Sequence, residues 1–358
     1  QAAALRVRSP GAAGLPLALR VERLPAGAVL RVAGAQGPAQ AVAGGQVLAA
    51  LARDAAAGVA GRRYWLPAVA GEEALLQVTL PAGSTPADLA LAVPEAAHLW
   101  WTHAAVTRAA ALKVGEAGTC NADAACSPAY ESDQRSVARL EFIEDGQAFV
   151  CTGTLLADVA ATGTPWMLNA NHCIGSQAAA STASTYWFYR AAACGSDRLD
   201  PAATQRHGGA TLLHANAATD TAFLRLEQSL PAGVVHAGVL LGPVAVGSEV
   251  ASLHHAGGDL LKLSVGSVQS YADCDGTRCS TVAGTEGNYL SLGWRVGTTE
   301  SGSSGSAAFV AAGGRRYVAG HLFAGLASCA DPGRNDFYGR IDREYPALRP
   351  YLGDVPGT

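Results

Sequence analysis

Residues 297–309 read "GTTESGSSGSAAF". By composition this is a Gly/Ser linker. By spacing it holds Gly302-Ser303-Ser304-Gly305-Ser306, a small-residue turn able to expose one hydroxyl. A serine hydroxyl becomes a useful nucleophile only when a base takes its proton. One candidate base is His172 in "GTPWMLNANHCIG", which follows an apolar run and directly precedes Cys173. Cys151, in "FVCTGTLL" one strand earlier, is a candidate partner for Cys173. A bridge there would hold the His172 loop, and a general base must stay within hydrogen-bond reach of its nucleophile. Taken alone, a His beside a Cys reads as structural. Asp220 in "ATDTAFLRLE" stands at the entry of an alternating strand. Pointing inward, it could accept from a ring N–H, fix the imidazole tautomer and stabilise imidazolium. Taken alone, it is a turn residue. Ser304 completes the set, and the N–H groups of Gly302 and Ser304 could hold an oxyanion. Losing one such donor costs roughly 2.7–4 kcal/mol.

These residues need elements to place them. The chain has 358 residues, enough for two domains or one large one. Residues 1–100 carry short alternating runs such as "LALRVERL" and "ALLQVTLPAG", broken by Pro-Ala-Gly and Gly-Gly turns. They read as a small antiparallel β domain without a titratable cluster. "VLAALARDAAAG" at 47–58 is its one expected helix. The stretch 104–119 is small-residue and unpatterned, and is read as the boundary. From 120 onward strands return at regular spacing, among them "VARLEFIEDG", "TAFLRLE" and "AAFVAAGGRRYVAGHLFAG". That pattern implies an all-β domain of two-barrel or sandwich type, with "REYPALRPYLG" as a short terminal helix.

Bulk properties exclude several classes. Net charge is −4 and aromatics are 6%, so neither a basic footprint nor a stacking platform points to nucleic acid. No apolar run approaches transmembrane length, and no polybasic run points to a membrane surface. The Ala and Gly excess fits GC-rich codon use. The chain starts at Gln1, without Met or a signal-type segment, and is read as a processed or trimmed start. All eight cysteines follow residue 118, an even count suggesting disulfides in an oxidising compartment. Neither CxxC nor HExxH occurs, so no metal site is expected.

The order His172, Asp220, Ser304 on an all-β domain is the order of the chymotrypsin-type arrangement. Residues 119–352 resemble the bacterial lysyl endopeptidases, a secreted branch of the chymotrypsin-fold serine proteases. The resemblance is carried by "LNANHC", "YWFYRAAAC", "ATDTAFLRL", "TTESGSSGSAAF" and "SCADPGRNDFYGRID". The first domain resembles the β-rich pro-region of such precursors, as in "YWLPAVAGEEALLQVTLPAG".

The resemblance implies a double β-barrel protease domain over 114–358, preceded by a β-rich pro-region over 1–113. It implies His172, Asp220 and Ser304 as the triad, with no metal or organic cofactor. It places Asp336 where the family has the carboxylate that pairs with a substrate lysine ammonium. On residues alone, Asp336 reads as a turn residue in "GRND". The resemblance also implies bridges Cys120–Cys329, Cys126–Cys194 and Cys151–Cys173, leaving Cys274 and Cys279 for a local bridge in "CDGTRC". Each bridge is worth roughly 2–4 kcal/mol.

Three positions depart from the family pattern. Phe323 in "HLFAG" stands where the family carries a histidine near the pocket, which bears on the Lys preference and its pH profile. Asn171 replaces a small residue or His before the base. Ser303 stands where animal-type members carry an aspartate, so a new N-terminal ammonium would find no carboxylate there. Lys113, one of two lysines with Lys262, lies in the boundary stretch. Cleavage after it would free a chain starting at Val114, with Arg108 as a competing site.

The expected protein is thus a secreted bacterial endopeptidase, monomeric, exported via the periplasm. It would cut after Lys or also Arg, and its partners would be peptide substrates and its own pro-region. A catalytically silent binding or adhesion protein on the same fold is the alternative, and an esterase a third reading.

Overall fold

The computed structural model describes residues 2–61, 63–99, 116–276 and 278–355. Lys113, Val114 and Arg108 lie outside these. Residues 2–99 form two antiparallel sheets. The first runs in the order Ala2–Arg8, Val69–Thr79, Val29–Gln36, Gln40–Ala43, with Gly14–Leu15 also paired to Val69–Thr79. The second runs Arg63–Trp65, Leu17–Arg23, Ala90–Ala96. Alternation does the sorting: Leu19 and Val21 turn into the core while Arg20 and Glu22 face water. The helix Gly44–Ala56 begins slightly before the expected start. It buries Val47, Ala50 and Leu51, the i, i+3, i+4 spacing of one apolar face.

Residues 116–355 carry two larger sheets. Seven strands run in the order Thr204–His207, Ser184–Trp187, Val137–Glu144, Gln147–Leu156, Trp166–Ala170, Thr221–Leu226, Ala210–Asn216. The other sheet runs Glu249–His254, Ala307–Ala312, Arg315–Gly325, Asn335–Arg340, Tyr289–Val296, Lys262–Asp275, Arg278–Val282, and Ala122–Asp123 adds to Lys262–Asp275. A further pairing of Glu249–His254 with Lys262–Asp275 closes this sheet into a barrel. Each sheet wraps its own core, Leu140, Met167 and Trp187 in the first, Val250, Leu292 and Tyr338 in the second.

A third cluster joins the sheets. Leu168 and Phe223 of the first pack with Leu253 and Phe309 of the second. The terminal helix Ile341–Leu352 presses Ile341, Leu348 and Leu352 into the same cluster. The strand Val137–Glu144 is buried almost throughout, charges included. Arg139 lies 4.8 and 5.3 Å over the rings of Tyr186 and Tyr189, and Glu141 accepts a 2.6 Å bond from the Tyr186 hydroxyl. The cysteines form Cys120–Cys329, Cys126–Cys194, Cys151–Cys173 and Cys274–Cys279.

Several histidines are buried in this part, and that dictates an acid response. Loss of hydration lowers the proton affinity of His254, His255 and His321, bringing His254 and His255 to a pKa of about 3. Unfolded, each would titrate near 6.5. The unfolded chain therefore binds more protons below that value, and stability falls as pH drops from about 6.5 toward 3. Near pH 5, unfolding should take up at least two protons through these groups, about 2.7 kcal/mol lost per pH unit. Urea denaturation with the disulfides intact, repeated between pH 5 and 7, measures the slope. A stability independent of pH across that window would contradict the burial of neutral rings.

Candidate active site

The turn at 302–304 is held from the opposite sheet by one residue. The N–H of Thr152 donates to the Ser304 carbonyl at 2.8 Å. The Thr152 hydroxyl donates to the Gly302 carbonyl at 2.8 Å and accepts from the His255 N–H at 3.1 Å. Its neighbour Cys151 is bridged to Cys173, the residue after His172. Behind Ser304, Gly305 lies so close to the strand Trp166–Ala170 that a Cβ there would stand 3.0 Å from the Ala170 nitrogen and 2.3 Å from Nδ2 of Asn169. Ser304 is thereby set beside the His172 loop.

His172 is fixed by a single carboxylate. Its backbone N–H donates to Oδ1 of Asp220 at 2.8 Å, and its Nδ1 stands 2.6 Å from Oδ2. A carboxylate only accepts, so Nδ1 carries a proton, and in the neutral ring Nε2 is the nitrogen with the free lone pair. Asp220 is buried and has φ of 55°. A left-handed residue costs roughly 1–2 kcal/mol, least for Asp and Asn. The Asn171 N–H at 2.6 Å and Nε2 of His321 at 2.9 Å hold its carbonyl in place. The preceding Thr219 donates at 2.8 Å to Glu344 on the terminal helix, which also receives Asn216 at 2.8 Å. Among the described residues no hydrogen bond joins Ser304 to His172. His172 Nε2 lies 3.7 Å from Sγ of the bridged Cys173, and a contact between base and nucleophile often tightens only with substrate.

The turn offers donors. The Ser303 N–H is taken by the Glu300 carbonyl at 2.9 Å and the Gly305 N–H by the Leu322 carbonyl at 2.9 Å. Among the described residues no acceptor takes the N–H groups of Gly302 and Ser304. Gly302 has φ of 91°, and a Cβ on it would meet the His255 carbonyl at 2.5 Å, so only glycine fits.

Asp336 is fully buried at the edge of the strand Asn335–Arg340. Its carboxylate accepts from Trp294 Nε1 at 2.6 Å, Thr299 Oγ1 at 2.7 Å and the Ala327 N–H at 3.2 Å. Gly325 lies flush against it, since a Cβ there would sit 1.7 Å from Oδ1. Burial raises its proton affinity, and the Thr299 and Trp294 bonds only partly offset that. The other buried carboxylates described each have a cationic or imidazole neighbour: Asp54 with Arg53, Glu141 with Arg139, Asp220 with His172, Asp259 with Lys262, Glu344 with His214. Among the described residues Asp336 has none.

Phe323 lies edge-on to the His172 ring at 6.2 Å and tilted on Tyr289 at 5.3 Å, so it walls the site beside the candidate base. Thr152, His321, Glu344, Trp294 and Thr299 escape a reading by motif, since each acts through a contact far away in sequence. Only the adjacency of Thr152 to Cys151 and of Thr299 to the Gly/Ser turn could have signalled them.

Among solved structures, the active form of the Rv3671c protease of M. tuberculosis is 16% identical with a TM-score of 0.41, covering 66% of this chain and 90% of that one. The HtrA-type protease AlgW with tripeptide is 16% identical with a TM-score of 0.42, covering 63% and 64%. A lysyl endopeptidase of Pseudomonas aeruginosa is 32% identical over 365 residues, covering 97% of this chain and 74% of that protein. The family model for the lysyl endopeptidase N-terminal domain matches residues 1–100, and that for the lysyl endopeptidase C-terminal domain matches 114–339. The chain belongs to the lysyl endopeptidase family and is a serine endopeptidase.

Proposed function

We propose that this enzyme hydrolyses peptide bonds on the carboxyl side of lysine, with arginine as the alternative basic residue. The observation that carries the reading is Asp336, a buried carboxylate with three donors and no cation partner among the described residues. A substrate ammonium or guanidinium supplies the missing charge, and a charge-assisted bond in a dry site is strong. In the reaction, Ser304 Oγ attacks the scissile carbonyl as its proton passes to His172 Nε2. Asp220 holds the resulting imidazolium, and the N–H groups of Gly302 and Ser304 hold the oxyanion. His172 returns the proton to the leaving amine. Water, deprotonated by His172, then cleaves the acyl-enzyme and restores Ser304.

We also propose that the chain is a precursor cut after Lys113. The C-terminal family match begins at the next residue, Val114, which supports this position. The N-terminal part grips the protease part just beyond the His172 loop. Ser181 donates to Asp54, and Arg53 reaches the Gly208 carbonyl at 3.5 Å. Both Asp54 and Arg53 lie on the helix Gly44–Ala56, so the pro-region is read as an intramolecular partner that docks on this flank. Four disulfides support an extracytoplasmic destination.

Four measurements test these readings. A fluorophosphonate probe should label the protein at Ser304, with Ser304→Ala unlabelled; a protein that never labels is the silent binding relative instead. Asp336→Asn should keep labelling but lose about 10²–10³-fold in kcat/KM on lysyl substrates, the scale of removing one partner from a buried ion pair. A product set from a digested protein ending mainly in residues other than Lys or Arg would refute the role of Asp336. Lys113→Ala should stop the release of a chain beginning at Val114, read by intact mass; unchanged processing would refute that site.

A further inference from the structure

Ser303 lies between the two proposed oxyanion donors, and its side chain is buried. It belongs to a run of hydrogen bonds whose directions are all determined. The Ser264 hydroxyl donates to the Thr298 carbonyl at 2.8 Å, so its proton is used there. His254 Nε2 stands 3.0 Å from Ser264 Oγ and must therefore be the donor. The neutral ring has one N–H, which leaves Nδ1 as an acceptor. Ser303 Oγ, 2.8 Å from Nδ1, donates to it. The remaining lone pairs of Ser303 receive the Glu300 N–H at 3.1 Å. Every polar group in the run has a partner, which is what burial demands. Desolvation, with Lys262 nearby, keeps the ring unprotonated at neutral pH.

We infer that His254 is a positioning residue for the oxyanion site, holding the Gly302–Ser304 turn through the Ser303 hydroxyl. The inference rests on Ser304 being the nucleophile. The peptide planes on either side of Ser303 carry the N–H groups of Ser303 and Ser304, and the residue before it carries that of Gly302. Fixing the Ser303 side chain therefore fixes where those N–H groups aim. The run also ties Thr298 and Glu300 to the strands Glu249–His254 and Lys262–Asp275, so the segment entering the turn is anchored to the closed barrel. No new chain terminus is needed to complete it. The neutral hydroxyl at 303 is thus the working part of a lock, in place of a carboxylate awaiting a counterion.

Ser303→Ala removes one oxygen and adds no volume, and His254→Gln keeps a polar group at the ring's position. Both should give folded protein by circular dichroism. Each should lower kcat about tenfold to a hundredfold, with KM within about twofold, as expected for interactions realised in the transition state. A peptide lysinal, whose adduct with Ser304 places an oxygen between the two N–H groups, should lose affinity by a similar factor. The double variant should be no slower than the slower single variant, because both break the same Ser303–His254 bond on which the positioning depends. If His254→Gln does not fold, Ser303→Ala alone decides. A folded Ser303→Ala with unchanged kcat, or losses that multiply in the double variant, would overturn the inference. Labelling of Ser304 in the unaltered protein separates the two layers. Without labelling, the nucleophile reading and this inference fall together. With labelling and unchanged kcat in Ser303→Ala, only the inference falls.

Discussion

The active site depends on the clasp that Thr152 makes on the serine turn. The candidate base and acid belong to the seven-stranded sheet, and the candidate nucleophile to the closed barrel. Reaction requires their atoms to meet within a few tenths of an ångström. Thr152 donates twice to the turn, at the carbonyls of Gly302 and Ser304, while Cys151 is bridged to the residue beside His172. Two consecutive residues of one strand thus set both halves of the constellation. The net energy is small, about 1 kcal/mol for each hydrogen bond. What the clasp contributes is geometry: a sliding of one sheet over the other would break both bonds together.

The left-handed Asp220 shows the same logic from the other side. Its carboxylate is occupied twice by His172 and its carbonyl by Asn171 and His321. His321 comes from the strand that also carries Phe323, which packs on the His172 ring. The acid is therefore held by the barrel as well as by its own sheet. The terminal helix adds Glu344, which gathers His214, Asn216 and Thr219 around the turn that precedes Asp220.

How much of this is legible in the sequence depends on range. The run Leu17–Arg23 announces a strand by its alternation around Arg20 and Glu22, and Thr221–Leu226, buried at every position but Arg225, by being a short and largely apolar run. The terminal helix announces itself despite Pro346 and Pro350. The helix Gln177–Thr182 does not: it is short, and its main signal is Ser176 accepting from the Ala179 N–H. Candidate site residues show where chemistry needs a rare local pattern, as in the Gly/Ser turn around Ser304. Asp336 is legible only through the family resemblance, because "GRND" has the composition of any turn. Arg139 and Glu141 run against the pattern outright. They are charged yet buried, paired with each other and held by Tyr186, Tyr189 and the Gly258 carbonyl, all distant in sequence.

The distribution of buried charge is the last constraint, and it separates structure from function. A buried carboxylate is destabilising unless a cation or strong donors face it. Glu141, Asp259 and Glu344 each meet a basic group within the fold: Arg139 on the same strand, Lys262 three residues on, and His214 on a distant strand. The turn at Ser303 avoids buried charge altogether and uses a neutral hydroxyl-imidazole-hydroxyl run. Asp336 follows neither solution. Trp294, Thr299 and the Ala327 N–H soften its desolvation without cancelling it, and its proton affinity stays raised. A fold that pairs its other buried carboxylates gains nothing structural from leaving this one without a cation. The imbalance is what the proposed specificity requires: the free enzyme carries it, and the entry of a basic side chain would relieve it.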